Sequence, residues 1–445
     1  MRQDPAQFSA VETRERLAKG EFSVVELIAA HVKRIAAREK EVGAFAFFDE
    51  ALALKYAKAL DDHRGTGRAL GPLHGIPVGI KDIIDTADMP TENGTILDAG
   101  RRPAKDAELV RRLREAGAVI MGKTVTTELA YFSPGKTRNP HRLDHTPGGS
   151  SSGSAAAVAA GMLPLAIGSQ TFGSVIRPAS FCGVVGFKPT FGLVSRTGVR
   201  TLSPSLDTIG VFANSIADAA LLVDALAGHD PADADTRLLA PPRLLDIART
   251  KPPVTPSLAF VKTLMWDEAE GATKEAFAEI VDALGPACAE VALPDVFGEW
   301  AGAHRTLMRA EMARHLDPYY RRGKDQLSDQ LRALLEDGYS ITAAAYLEAR
   351  DWRLALRRGL EQLFDRFDAI VTPAATGEAP AGLHATGNPI FNGLWTFCGV
   401  PAVTLPLLLG QTGMPLGVQL IGRYGEDARL LRTARWFTSA VESAA

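Results

Sequence analysis

The sequence has little net charge, few cysteines and no long apolar run, and each shortage removes a class of function. Its 49 Lys and Arg against 52 Asp and Glu leave a formal charge of −3 over 445 residues. That balance offers no broad electrostatic hold on nucleic acid. The three cysteines, Cys182, Cys288 and Cys398, are widely spaced and form no C-x-x-C pair. They read as reduced thiols in buried positions, which excludes a disulfide scaffold and points to a reducing compartment. No apolar run reaches the ~18 residues of a spanning helix. The most apolar candidate, an alanine-rich segment, is interrupted at Gly161 and Pro164. The first eight residues hold no apolar core of a secretory signal, so the expected location is the cytoplasm. With 46% hydrophobic residues the chain can build a sizeable core.

What is there alternates between helical and strand patterns. Ser23-Val-Val-Glu26 is a capping box, followed by Leu27, Ile28, Val32 and Ile35 on one helical face. Residues 8–62 read as helices across the outside of the core. Residues 71–87 alternate Gly and Pro with β-branched residues and read as strand, turn and strand. Asp106 reads as the cap of a helix carrying Leu109, Val110 and Leu113, and 118–121 as a buried apolar strand. A helix feeding such a strand implies an α/β layer structure. Strands are expected again at 182–188 and 193–195. Asn214 or Ser215 caps a helix closed by Gly228. Residues 229–257, rich in Pro, Ala, Asp and Arg, are linker-like. Helical periodicity then dominates about 265–365, with short strands only at 257–260 and 290–293. Strands return from Asp368, and 426–440 is a closing amphipathic helix.

The most unusual stretch is 147–179. It runs from Pro147-Gly-Gly-Ser-Ser-Ser-Gly-Ser-Ala-Ala-Ala to Gly168-Ser-Gln-Thr-Phe-Gly-Ser-Val-Ile-Arg-Pro-Ala179. A Gly/Ser run alone reads equally well as a linker. Here, however, an apolar alanine segment follows directly, and a second Gly-Ser turn lies beyond it. A flexible linker has no use for a buried helix joined to its end. Residues 155–161 read as that helix, made of side chains small enough for close backbone approach.

These residues resemble the amidase signature family. The likeness covers Thr146-Pro-Gly-Gly-Ser-Ser-Ser-Gly-Ser, the turn at Gly168–Pro178 and Gly186-Phe-Lys-Pro-Thr190. Upstream it includes Leu73-His-Gly-Ile-Pro-Val-Gly-Ile-Lys-Asp82, and downstream Gly399-Val-Pro-Ala-Val-Thr-Leu-Pro406 and Pro415-Leu-Gly-Val-Gln-Leu-Ile-Gly422. It implies one large α/β domain over residues 1–445, with a central mixed, twisted sheet covered by helices on both faces. The motif-bearing core would be 65–228 and 365–435, and the mainly helical 265–365 an insert.

The resemblance also implies a chemistry. Amide hydrolysis needs a nucleophile, a base, an oxyanion stabiliser and an acid for the leaving amine. By position, Ser174 corresponds to the nucleophile, Ser150 to a bridging serine after a cis peptide bond, and Lys81 to the base. No metal or other cofactor is implied. The backbone N–H groups of Thr171, Phe172, Gly173 and Ser174 lie on one Gly-containing turn and are the expected oxyanion donors. Lys81 can act only when neutral, which an unperturbed pKa of ~10.4 allows in about one molecule in a few thousand at pH 7. The apolar strand around it should therefore be buried. Asp82, the next strand residue, should face away.

Two details depart from many relatives. Phe172 stands where they carry a small residue, so it is either strained or projects into the acyl pocket. Thr396 stands where they carry Asn. Phe132, Phe172 and Trp395 are candidate pocket walls. Two other signals mislead. Gly117-Ala-Val-Ile-Met-Gly-Lys-Thr124 fits a nucleotide-binding P-loop, but its variable residues are themselves a strand and a helix precedes it. His141 and His145 share a Pro-bounded loop without further metal ligands. The leading expectation is a stand-alone amidase acting on a small or aryl carboxamide, without nucleic-acid or membrane partners and with homodimerisation a family-based expectation. The alternatives are the amidase subunit of a tRNA-dependent amidotransferase, and a silent member whose oxyanion turn Phe172 has spoiled.

Overall fold

Burial of eight strands along their whole length organises the computed structural model, which describes residues 3–444. The strands are β1 (Phe45–Phe48), β2 (Pro77–Lys81), β3 (Val119–Thr124), β4 (Leu165–Gln170), β5 (Val185–Lys188), β6 (Thr208–Ala213), β7 (Leu258–Phe260), β8 (Cys288–Glu290), β9 (Ala369–Pro373), β10 (Ala402–Leu409) and β11 (Pro415–Ile421). They form one sheet in the order β1-β3-β2-β4-β6-β5-β10-β11-β9-β7-β8. β2 runs parallel to β3 and β4, while the middle of the sheet from β4 to β9 is antiparallel. β7 is parallel to both β9 and β8. Near-continuous apolar strands of this kind need cover on both faces.

The cover begins with α1 (Ala10–Lys19), α2 (Val24–Val42) and α3 (Glu50–Gly65). The Ser23–Glu26 capping box opens α2, and Ser9 with Glu12 makes a second one at α1. β1 interrupts what reads as an all-helical stretch. α4 (Glu108–Glu115) begins after Ala107 with no side-chain cap. Asp106, the expected cap, instead accepts hydrogen bonds from Ala87 N and Arg114 Nε. α5 (Ser152–Ala159) is the small-residue helix, and α6 (Ile176–Cys182) packs against it. α6 occupies the start of the expected strand 182–188, and 193–195 keeps only a bridge from Val194 to Ala227. The expected second strand after β2 is likewise only a bridge, from Ile84 to Val199. In both places a turn uses the backbone groups that a longer ladder would need.

α7 (Ile216–Leu226), capped by Ser215, packs on β6 and β5. α8 (Leu244–Ala248), α9 (Gly271–Leu284), α10 (Trp300–Gly323), α11 (Asp329–Tyr339) and α12 (Ala343–Phe364) follow. α10 packs on α11, on α12 and on α13 (Gly393–Cys398), which places the helical segment beside the ends of the central strands. α14 (Asp427–Ala444) closes the chain against α8 and β10. Among the described residues no helix is long and apolar enough to cross a membrane.

Candidate active site

Lys81 is the last residue of β2 and is fully buried. Its Nζ lies 2.7 Å from Ser150 Oγ and 2.9 Å from Ser169 Oγ. Ser150 comes from the turn that enters α5, after a cis Gly149–Ser150 peptide. Ser169 comes from β4, which lies beside β2 in the sheet. Burial pushes the Lys81 ammonium down to about 7, with the Asp207 carboxylate acting in the opposite direction. Asp82 does face away: its carboxylate accepts from Glu92 N and lies 3.4 Å from Lys123 Nζ. Alternation along the strand thus keeps the Asp82 carboxylate away from Lys81 and pairs it with Lys123.

The turn between β4 and α6 carries Ser174 and is held from several sides. Gln170 Oε1 accepts from the N–H groups of Val175 and Ile176. Its Nε2 donates to Thr396 Oγ1, which lies 2.8 Å from the Phe172 carbonyl. Thr171 Oγ1 donates to Asp207, and His304 Nε2 from α10 lies 3.1 Å from the Thr171 carbonyl. Burial lowers the His304 pKa to about 4, so the ring is neutral and Nε2 carries the donated hydrogen. Among the described residues, the N–H groups of Thr171, Phe172, Gly173 and Ser174 find no acceptor, and Ser174 Oγ finds no partner. Gly173 is required: a Cβ there would lie 2.3 Å from Asn392 Oδ1.

Ser150 and Ser174 line one narrow cavity, walled by Tyr131, Phe132, Phe172, Met308 and Met312. The two hydroxyls do not hydrogen-bond to each other; Ser150 Oγ is engaged by Lys81. Phe172 is unstrained, since its φ is not positive. Its ring projects sideways, 4.5 Å from the His304 ring and 6.1 Å from that of Trp300. Of the expected walls, Phe132 and Phe172 face the cavity. Trp395 does not: it is fully buried in α13, behind the lining residues, with its indole N–H unpartnered among the described residues.

Sequence reasoning missed Ser169, Gln170, Asp207 and His304. Ser169 left one trace, a polar residue near the end of an otherwise apolar strand. The others depend on contacts between distant segments. The misleading signals resolve locally. Lys123 of the P-loop-like segment is buried in β3 and donates to the Ile84 carbonyl. His141 bonds to the Cys182 carbonyl and His145 to Asp144. All three cysteines are free and buried, and burial raises each thiol's pKa.

The chain as a whole has clear relatives. The family described as Amidase matches residues 26–431. A glutamyl-tRNA(Gln) amidotransferase subunit from Salinispora arenicola (strain CNS-205) is 36% identical over 485 residues, covering 98% of either chain. The protein of the same name from Synechococcus elongatus (strain ATCC 33912 / PCC 7942 / FACHB-805) is 33% identical, with 97% of each chain covered. Among solved structures, native peptide amidase from Stenotrophomonas maltophilia is 32% identical with a TM-score of 0.83, over 98% of this chain and 97% of that one. A structure described as a vestigial complex revealing the origins of an s-triazine catabolic enzyme is 30% identical with a TM-score of 0.89, over 96% and 97%. The chain therefore belongs to the amidase family, enzymes that hydrolyse amide C–N bonds.

Proposed function

We propose that the chain hydrolyses a small carboxamide through an acyl-enzyme on Ser174, with Ser150 and Lys81 as the proton relay. One observation carries this reading: the desolvated Lys81 amine lies 2.7 Å from Ser150 Oγ, and Ser150 shares a cavity with Ser174. The contact suits a Ser150 hydroxyl donating to the lone pair of a neutral amine, while Ser169 accepts one of the amine's hydrogens. A carbonyl seated in the cavity brings the Ser174 hydroxyl to Ser150. Such contacts are commonly loose before substrate binds. Ser174 Oγ attacks the carbonyl carbon as its proton passes to Ser150, and the Ser150 proton passes to Lys81. The free N–H groups of the 171–174 turn stabilise the oxyanion; each such donor is typically worth about 3 kcal/mol of barrier. The proton returns through Ser150 to the leaving nitrogen, and water cleaves the ester by the same route.

The unstrained Phe172 and the unengaged N–H groups remove the reason to read the chain as a silent member. Intact-mass spectrometry with a fluorophosphonate probe tests the proposal. One adduct is expected on the unmodified chain, none on Ser174→Ala and a much slower one on Lys81→Ala. Labelling retained in Ser174→Ala would defeat it.

A second reading, as one component of a tRNA-dependent amidotransferase, is favoured by the near full-length match to proteins of that name. There the released ammonia would pass to a partner chain. Co-purification of a second chain from the native source would support it, and full amide turnover by the isolated chain would favour the stand-alone enzyme.

A further inference from the structure

Two arginines of α12 hold the far end of α13. Arg353 Nε donates to the Phe397 carbonyl at 2.9 Å, and Arg357 Nε to the Cys398 carbonyl at 2.6 Å. These are the last carbonyls of the helix, which its own N–H groups cannot reach. α13 is six residues long and buried throughout, so water is no substitute donor. The Arg353 guanidinium stacks on Phe191, 4.5 Å from the ring centroid, and that of Arg357 on Tyr424 at 4.3 Å. The rings are themselves tied in. Phe191 N donates to the Gly399 carbonyl at 3.0 Å, and the Tyr424 hydroxyl to the Phe191 carbonyl at 3.1 Å. Neither arginine makes an ion pair among the described residues. Burial, and then the Arg357 charge, lower the Arg353 pKa to about 10.

The same short helix meets the turn that carries Ser174. Thr396 Oγ1 donates to the Phe172 carbonyl at 2.8 Å and accepts from Gln170 Nε2, and Gln170 Oε1 holds the N–H groups of Val175 and Ile176. Asn392, just before α13, donates to the Ala374 carbonyl at 2.8 Å and abuts Gly173. Thr396 directly precedes the two carbonyls that the arginines hold, so a shift of the helix end moves Thr396. Two half-buried like charges without ion pairs are a costly way to satisfy two carbonyls, for which neutral donors suffice. What a guanidinium adds is a planar donor whose direction stacking fixes. We propose that Arg353 and Arg357 are positioning residues for the reaction: clamped on Phe191 and Tyr424, they fix α13, and through Thr396 and Asn392 they set where the N–H groups of the 172–174 turn point. This rests on the hydrolase reading for what those N–H groups do, but not for the clamp itself.

Two readouts test the clamp and the chemistry apart. Hydrogen exchange at Val175 and Ile176, whose N–H groups depend on Gln170 and so on Thr396, reports the turn without any reaction. Arg357→Gln should speed it several-fold and leave β2 unchanged. Fluorophosphonate labelling of Ser174 should slow roughly tenfold at its high-pH plateau, as misplaced donors require, while the pH midpoint and one adduct per chain are kept. In a Thr396→Val background the same substitution should lose most of its effect on the rate, because both act through one contact. Arg357→Lys keeps a donor without the planar stack and should fall between, which carries the test if Arg357→Gln does not fold. Exchange and labelling both unchanged, with only a lower urea midpoint, would reduce the arginines to a structural role and overturn the proposal. Faster exchange with an unchanged labelling rate would overturn it too. Faster exchange in a protein whose unmodified form is never labelled would leave the clamp standing and defeat the hydrolase reading.

Discussion

A lysine serves as a base near neutrality only where water is kept from its ammonium, and Lys81 meets that condition. Its pKa is lowered to about 7 by burial, so the neutral fraction grows with pH up to that value. Acylation of Ser174 should fall roughly tenfold per pH unit below 7 and level off above it. A fluorophosphonate rate profile measures this directly, and a flat profile from pH 5 to 9 would exclude Lys81 as the base. Ser169 is the second partner of the same amine, 2.9 Å away. Ser169→Ala should cost about 1 kcal/mol of amine positioning, about fivefold in labelling rate, because one hydrogen bond is lost while the nucleophile stays. An unchanged rate would mean that Ser150 alone orients the amine.

At the scale of elements, two helices bring the site together from outside the sheet. α5 lies so close to its neighbours that a Cβ on Gly153 would fall 2.2 Å from the Ala44 carbonyl oxygen and 2.3 Å from Val125 N. Backbone cannot yield there as a flexible side chain would. Gly153→Ala should therefore destabilise by about 1–3 kcal/mol despite alanine's better helix propensity. The urea midpoint reads this, and a midpoint equal to that of the unmodified chain would show that α5 can shift. α10 reaches the site through His304, whose Nε2 meets the Thr171 carbonyl. His304→Phe keeps the aromatic packing on Phe172 and removes only this bond. On the proposed mechanism it should lower kcat several-fold with little change in KM, since the turn whose N–H groups would hold the oxyanion loses a support that matters most in the transition state.

For the whole molecule, three lysines are buried with lowered pKa values: Lys81 and Lys188 at about 7, and Lys123 at about 8. Desolvation is the largest cause for each. Their ordinary value is 10.5, so between about 7 and 10.5 the unfolded chain binds more protons than the folded one. Stability from this source rises with pH across that window and is lost as pH falls towards 7. Lys188, whose Nζ donates to the Val400 carbonyl, lies in β5 and lines no part of the site cavity. Lys188→Met should remove this desolvation cost and so flatten the rise in stability between pH 7 and 9, by at most about 1.4 kcal/mol per pH unit. Urea unfolding at several pH values tests this; an unaltered slope would show that Lys188 contributes nothing to it.

The sequence by itself determined what depends on neighbours along the chain. Glycine-rich turns, the Ser23–Glu26 capping box and the alternation that parts Lys81 from Asp82 are set by backbone geometry over a few residues. Lys81, Ser150 and Ser174 could be singled out in the sequence because each sits in a local motif that the family resemblance matches by position. Local signals failed where partners came from afar. Asp106 was drawn away from its expected cap by Ala87 and Arg114, and the aromatic Trp395 turned into the core and away from the cavity. Only the tertiary structure decided that β4 lies beside β2, which delivers Ser169 to Lys81. Only it brought Asp207 to Thr171 and His304 to the turn that carries Ser174. The physical reason is that desolvation and charge pairing are properties of the packed surroundings, which non-sequential strand order and helix docking create and no short window of residues contains.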